Sequence, residues 1–139
     1  MSFLLDTTVV SEWMKPSPNP GVIRWLADVD EDRVYLSVMT LAELRFGTER
    51  LPPGGRKSRL EAWLQEELPL RFEGRFIVIE AAIADAWGRV TSRCAAAGRP
   101  IGVMDALFAA TAEVHALTLV TRNVTDFTAS GISLFNPWS

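Results

Sequence analysis

Residues 98–127 constrain the fold more than any other part of the chain. Two glycines and a proline interrupt the pattern that precedes them, and a helix can begin near Val103. Apolar side chains then recur at helical spacing as far as Val114. Leu117–Thr121 is a short apolar run of the kind that forms a strand covered on both faces, and it ends in a polar turn at 122–126. This order of loop, helix, buried strand and turn predicts part of an α/β sheet.

The rest of the chain repeats the same alternation. Short apolar, β-rich runs occur at 2–5, 34–38, 76–79 and 132–135, and segments with helical periodicity separate them. The strand runs are continuously apolar instead of alternating, which is typical of strands buried on both faces. The sequence therefore predicts one α/β domain over residues 1–139, with a mostly parallel sheet of about five strands and helices on both faces.

Composition excludes several classes of protein. The formal net charge of −3 argues against indiscriminate nucleic-acid binding, so any such contact must come from a local cationic patch. The single cysteine, Cys94, excludes an internal disulfide and a cysteine metal cluster, and we expect a small buried side chain there. No apolar run approaches the roughly 20 residues that cross a bilayer, and no signal peptide is recognisable. We expect a cytoplasmic protein without membrane contact.

Acidic residues stand at the junctions between the predicted elements. Asp6 follows the first strand and Glu43 lies just after the second. Asp105 falls in the first turn of a later helix, and Asn123 and Asp126 lie in the turn after the fourth strand. Clustered carboxylates repel one another, so they either take up protons or hold a cation. Oxygen ligands without cysteine favour Mg²⁺ or Mn²⁺, which can activate water and neutralise phosphate. This chemistry fits phosphodiester hydrolysis.

Each of these polar residues also has a purely structural explanation. Asp6 can cap the first helix, although Thr7 or Thr8 can also do so. Thr40 and Glu43 have the spacing of a capping box. An Asp in a first helical turn is favoured by the helix dipole, and Asn and Asp are common in turns. Spacing alone does not decide between a cap and a functional site.

Positive charge is concentrated in one quarter of the chain. Five cationic residues lie close together in sequence, namely Arg45, Arg50, Arg56, Lys57 and Arg59. Such a group usually forms a solvated surface. Here it is also the best candidate for a surface that contacts phosphates.

Four segments carry a resemblance to a known family. Leu4–Val10, Thr40–Gly47, Asp105–Ala110 and Val120–Phe127 resemble the four sequence blocks of PIN-domain ribonucleases. The subgroup that they resemble is the VapC/FitB-type toxins of bacterial toxin–antitoxin pairs. The similarity extends from residue 3 to about residue 135, with the blocks in the same order and at matching spacing.

The resemblance implies a Mg²⁺- or Mn²⁺-dependent endoribonuclease that forms a homodimer. It also implies inhibition by a small co-encoded antitoxin and contact with operator DNA only through that antitoxin. The predicted catalytic acids are Asp6, Glu43, Asp105 and Asp126. The predicted metal ligands are Asp6, Asp105, Asn123 and Asp126, and the predicted substrate contacts are Thr8, Arg45 and Arg122. The fourth ligand is ambiguous because Asn123 occupies a position that is acidic in some relatives.

Other functions fit the sequence less well. A phosphoaspartate phosphatase normally has a second acid two residues after the first, but position 8 is threonine. It also requires a late lysine, as a response-regulator receiver does, and no lysine follows Lys57. A non-catalytic module that binds an antitoxin and regulates an operon remains an alternative.

Overall fold

A five-stranded parallel sheet forms the centre of the computed structural model, which describes residues 1–139. The strands are β1 (Phe3–Leu5), β2 (Val34–Ser37), β3 (Phe76–Ile77), β4 (Thr118–Val120) and β5 (Leu134–Phe135). Their order across the sheet is β3-β2-β1-β4-β5, and every neighbouring pair is parallel. The predicted sheet is confirmed, although the observed strands are shorter than the apolar runs.

Helices connect the strands. They are α1 (Thr7–Trp13), α2 (Pro20–Asp28), α3 (Val38–Glu49), α4 (Gly55–Ala62), α5 (Leu68–Arg71), α6 (Ala81–Ala96), α7 (Val103–His115) and α8 (Val124–Phe127). A π-helical stretch, Trp63–Glu67, joins α4 to α5, where Pro69 lacks the amide that would continue an α-helical ladder. No helix is both long and apolar enough to cross a membrane.

Two hydrophobic cores cover the two faces of the sheet. Successive strand residues point to opposite faces, so Leu4 and Leu5 belong to different cores. Leu4 packs in the core of α6 and α7, which also buries Cys94 as the sequence predicts. Leu5 and Val120 pack in the core formed with α1, α2, α3, α5 and the π-helical stretch. Helices on both faces are therefore confirmed, and each fully buried Leu stabilises the fold by about 1.5–3 kcal/mol.

The order of the strands determines where a ligand can bind. The chain adds β2 and β3 on one side of β1 and then β4 and β5 on the other. The boundary between β1 and β4 is therefore a topological switch point, where parallel α/β sheets bind ligands beyond the carboxyl ends of their strands. The Asp6 amide donates a hydrogen bond to the Val120 carbonyl at 2.9 Å, which joins the two strand ends.

The helix starts differ from two of the structural explanations offered by the sequence. The N-cap of α3 is Ser37, whose hydroxyl accepts a hydrogen bond from the Met39 amide at 3.0 Å. Strand β2 passes directly into α3, so Thr40 and Glu43 both lie inside the helix and the capping-box interpretation is wrong. Asp6 occupies the N-cap position of α1, but its side chain makes no capping hydrogen bond.

Candidate active site

Asp6 is the most enclosed of the predicted acids. Its side chain lies at the carboxyl end of β1, and the residue is 6% exposed. Asp6 Oδ2 accepts hydrogen bonds from Thr8 Oγ1 at 2.9 Å and from Thr121 Oγ1 at 2.7 Å. Thr121 Oγ1 in turn accepts a bond from the Asn123 amide at 3.1 Å. Burying a carboxylate without partners is costly, and these two hydroxyls supply the partners.

Glu43 is held from the neighbouring helix. Its Oε1 accepts a hydrogen bond from Thr7 Oγ1 at 2.6 Å. Thr7 Oγ1 also lies 3.0 Å from Thr40 Oγ1. A hydroxyl has one proton to donate, and Thr7 gives that proton to Glu43, so Thr40 is the donor in the second bond. This short relay links α1 to α3 and orients the Glu43 carboxylate.

Asp105 lies in the first turn of α7 and is partly buried. Burial from water raises the pKa of Asp105 from its ordinary 3.8 to about 6, and repulsion from neighbouring carboxylates adds to this effect. The neighbouring carboxylates that raise this pKa are Asp6, Asp126 and Glu43, in decreasing order of effect. Asp6, Glu43 and Asp126 therefore all lie within electrostatic range of Asp105, and we call these four residues the acid cluster.

The turn after β4 contains the two candidates for the fourth metal ligand. Asp126, in the first turn of α8, lines a recess of about 480 Å³ together with Asp105. Arg99 lines the same recess, and its guanidinium donates to the Thr125 carbonyl at 3.4 Å. The exposed Asn123 precedes α8, and its side chain does not cap that helix.

A slightly larger groove adjoins the acid cluster at Glu43. It has a volume of about 510 Å³ and runs between α1, α3 and α4. Thr7 and Glu43 line the groove where it meets the acids. Two members of the cationic group, Arg56 and Arg59, line it farther along. The acid cluster is therefore flanked by two recesses.

The three predicted substrate contacts form intramolecular interactions. Thr8 donates to Asp6, as described above. Arg45 pairs with Glu49 at 3.3 Å and lies 3.9 Å from Glu61. The Arg122 guanidinium lies over the ring of Trp138, 5.7 Å from its centroid. None of the three lines either recess beside the acids.

The sequence reasoning missed the threonines that hold the carboxylates. Thr7 and Thr40 were considered only as helix caps, and Thr121 only as the end of a strand. Thr121 nevertheless carries a usable signal, because a polar residue that ends a buried strand is the same feature that marks Asp6. Arg99 follows a glycine in a loop and carries no comparable signal.

The side chains present suit a hard divalent cation. No three side chains of Asp, Glu, His or Cys lie close enough together to enclose an ion unaided. Mg²⁺, however, usually keeps several waters and binds through one or two carboxylates. Carboxylates beside an open recess fit such a water-rich ion. The pKa of Asp105 is raised first by burial and then by repulsion from its neighbours, and a cation would relieve that repulsion.

Comparison with known proteins gives consistent matches. The PIN-domain family model matches residues 3–128. The chain is 38% identical to toxin FitB of Neisseria gonorrhoeae, over 97% of each protein. It is 33% identical to VapC ribonuclease Y4jK of Sinorhizobium fredii, over 97% of this chain and 96% of that protein. A solved structure of FitAB bound to an IR36 DNA fragment aligns with a TM-score of 0.94 at 35% identity, over 99% of this chain and 96% of that one.

Proposed function

The chain belongs to the PIN-domain family, and from that premise we propose that it is the metal-dependent endoribonuclease toxin of a toxin–antitoxin pair. Its reaction is the hydrolysis of RNA phosphodiester bonds with Mg²⁺ or Mn²⁺. The observation that carries the proposal is the environment of Asp105 beside the switch point of the sheet, where burial first and repulsion from Asp6, Asp126 and Glu43 second raise its pKa. Relatives named as VapC ribonucleases support the same activity.

The acids have separate roles in this proposal. Asp6, Asp105 and Asp126 would hold the ion, and Asn123 is the alternative to Asp126. A bound Mg²⁺ or Mn²⁺ supplies charge neutralisation for the phosphate and lowers the pKa of its water. Glu43 Oε1 is engaged with Thr7, so its second oxygen is the one we assign to take a proton from the attacking water.

We extend the proposal to the partners of the chain. A small cognate antitoxin inhibits it by placing a basic side chain among the carboxylates, where that side chain pairs with them and displaces the ion. Operator DNA is contacted only through the antitoxin, and the toxin forms a homodimer. The FitAB structure with a DNA fragment supports an assembly of this kind. The comparisons give no support to a non-catalytic module.

The activity is tested with purified protein freed of any antitoxin. Single-stranded RNA should be cut with Mg²⁺ or Mn²⁺ and left intact with EDTA. Asp6→Asn, Asp105→Asn and Glu43→Gln should each reduce cleavage by about 10²–10⁴-fold, because each removes a charge from the cluster. Asp85→Asn is the matched control, since Asp85 is exposed on α6 and pairs with Arg89.

Three results would contradict parts of the proposal. Equal cleavage in EDTA would remove the metal mechanism. Absence of cleavage on any RNA would favour the binding module instead. Full activity of Glu43→Gln would show that Glu43 does not belong to the site.

A further inference from the structure

We propose that the groove between α1, α3 and α4 binds the backbone of single-stranded RNA beside the acid cluster, with Arg56 and Arg59 contacting its phosphates. This inference rests on the proposed ribonuclease function and assigns a path for the substrate. The groove is continuous with the acids, because Thr7 and Glu43 belong to both. Asp105 and Asp126 line a second recess. A strand that lies in the groove is therefore in contact with Glu43, one of the four acids.

Three of the five cationic residues in this part of the chain are engaged elsewhere. Arg45 pairs with Glu49 and Glu61. Lys57 Nζ donates to a backbone carbonyl of Glu49 at 3.3 Å. The Arg50 guanidinium lies 5.3 Å from the centroid of the Phe46 ring.

Arg56 and Arg59 differ from those three residues. Both line the groove, and neither forms an ion pair within the chain. They are three residues apart on α4, so their side chains lie on the same face of that helix. Lys15 also lines the groove, but it is paired with Glu12 at 2.8 Å. The guanidinium groups available to a ligand are those of Arg56 and Arg59.

The chemistry of the groove favours a polyanion. The two arginines share its wall with the hydroxyls of Thr7, Ser11 and Thr48. A chain of net charge −3 that also concentrates carboxylates at its reactive site repels RNA, so attraction must come from cations nearby. Guanidinium groups bind phosphate oxygens with charge-assisted and often bidentate hydrogen bonds. An RNA backbone lying along α4 meets these requirements.

The salt dependence of binding tests the assignment. A fluorescently labelled 12-nucleotide RNA is titrated in EDTA at several KCl concentrations, so that binding is measured without cleavage. The slope of log K against log salt should fall by about 0.7 for Arg56→Ala and again for Arg59→Ala, as expected for one single-strand phosphate each. Each substitution should raise Kd by about threefold to tenfold. Arg56→Lys should keep the slope, and Arg50→Ala is the matched control.

Cleavage kinetics add a second readout. In Mg²⁺, the double variant Arg56→Ala/Arg59→Ala should show a raised KM and an unchanged kcat on the 12-nucleotide RNA. On a dinucleotide, which does not extend along the groove, its kcat/KM should equal that of the wild-type protein. Thermal unfolding of each variant checks that the fold is retained.

The outcomes separate this inference from the proposed function. RNA binding with an unchanged salt slope in the double variant would overturn the groove assignment alone. Loss of affinity for an antitoxin peptide, with RNA binding intact, would also overturn it and assign the groove to the protein partner. Salt-dependent binding that weakens in the variants, without cleavage in Mg²⁺, would support the groove and overturn the activity. A wild-type protein that binds no RNA in EDTA and cuts none in Mg²⁺ would overturn both.

Discussion

Asp6 and Glu43, on one side of the acid cluster, differ from Asp105 on the other side in how their carboxylates are held. Asp6 accepts two threonine hydroxyl bonds, and Glu43 accepts one. Asp105 is partly buried without a comparable hydroxyl donor, and its pKa is raised to about 6. One side of the site is therefore fixed by hydrogen bonds, whereas the other carries unrelieved charge.

The difference shows how one cluster can combine rigidity with ion dependence. Hydrogen bonds to a carboxylate favour its charged form and fix its orientation before any ion arrives. At Asp105 the charged form is disfavoured by burial first and by its neighbours second, so ionisation there opposes folding until a cation compensates it. We expect removal of a hydroxyl on the first side to lower activity, and removal of the charge of Asp105 on the second side to raise stability as well as lower activity.

Among the substitutions that leave all four acids in place, removal of the hydroxyls on the fixed side should have the largest effect. Thr121→Val and Thr7→Val should each lower cleavage by about 10–100-fold, because the carboxylate that each holds is no longer oriented. Single-turnover cleavage of RNA measures the loss, and circular dichroism checks the fold. Thr91→Val is the control, since the Thr91 hydroxyl is buried without a partner. Wild-type rates in Thr121→Val would show that this hydroxyl bond does not support the site.

The next effect concerns stability on the charged side. In EDTA at pH 8, Asp105→Asn should raise the free energy of unfolding by about 1–2 kcal/mol. The pKa shift of Asp105 from 3.8 to about 6 sets an upper limit near 3 kcal/mol, which solvent screening at this partly exposed residue reduces.

The size of this gain in stability depends on pH. The pKa of Asp105 is raised in the folded state, so its ionisation costs no stability below about pH 3.8 and costs most above about pH 6. The gain in Asp105→Asn should therefore appear between these values and persist at higher pH. Urea denaturation at pH 3.5 and pH 8 measures it, with the exposed Asp126→Asn as a control that gains less. An equal gain at both pH values would contradict the electrostatic cause.

The smallest expected effect is on metal affinity, and it should distinguish Asn123 from Asp126 in the turn after β4. Asp126→Ala should weaken Mn²⁺ binding by about threefold to tenfold, and Asn123→Ala by less, because only the first removes a charge. Calorimetric titration of each variant with Mn²⁺ measures the difference. If Asn123→Ala proves more damaging, the fourth ligand lies at position 123 and Asp126 only shapes the recess.

The sequence by itself determined the architecture and the edge of the sheet that carries the acids. Strand and helix periodicities are local, so the alternation of apolar runs and amphipathic segments was sufficient to predict a parallel sheet with two covered faces. Parallel strands place their carboxyl ends at one edge, so Asp6 and the turn after β4 were expected to converge there. The pattern of residues along the chain did not locate the start of α3. Strand β2 passes into this helix through Ser37, without a loop to mark the boundary.

Only the tertiary structure decided which side chain holds each acid and which arginines face the groove. The Thr121–Asp6 bond joins residues 115 positions apart, and the Thr7–Glu43 bond joins residues 36 apart. These contacts depend on the register of β1 against β4 and on the packing of α1 against α3. Likewise, the sequence does not distinguish Arg45 from Arg56, since both belong to the same cationic group. In the structure Arg45 pairs with Glu49 and Glu61, whereas Arg56 lines the groove. The residues next to a side chain in the sequence do not determine its hydrogen-bond partner when that partner comes from a distant part of the chain.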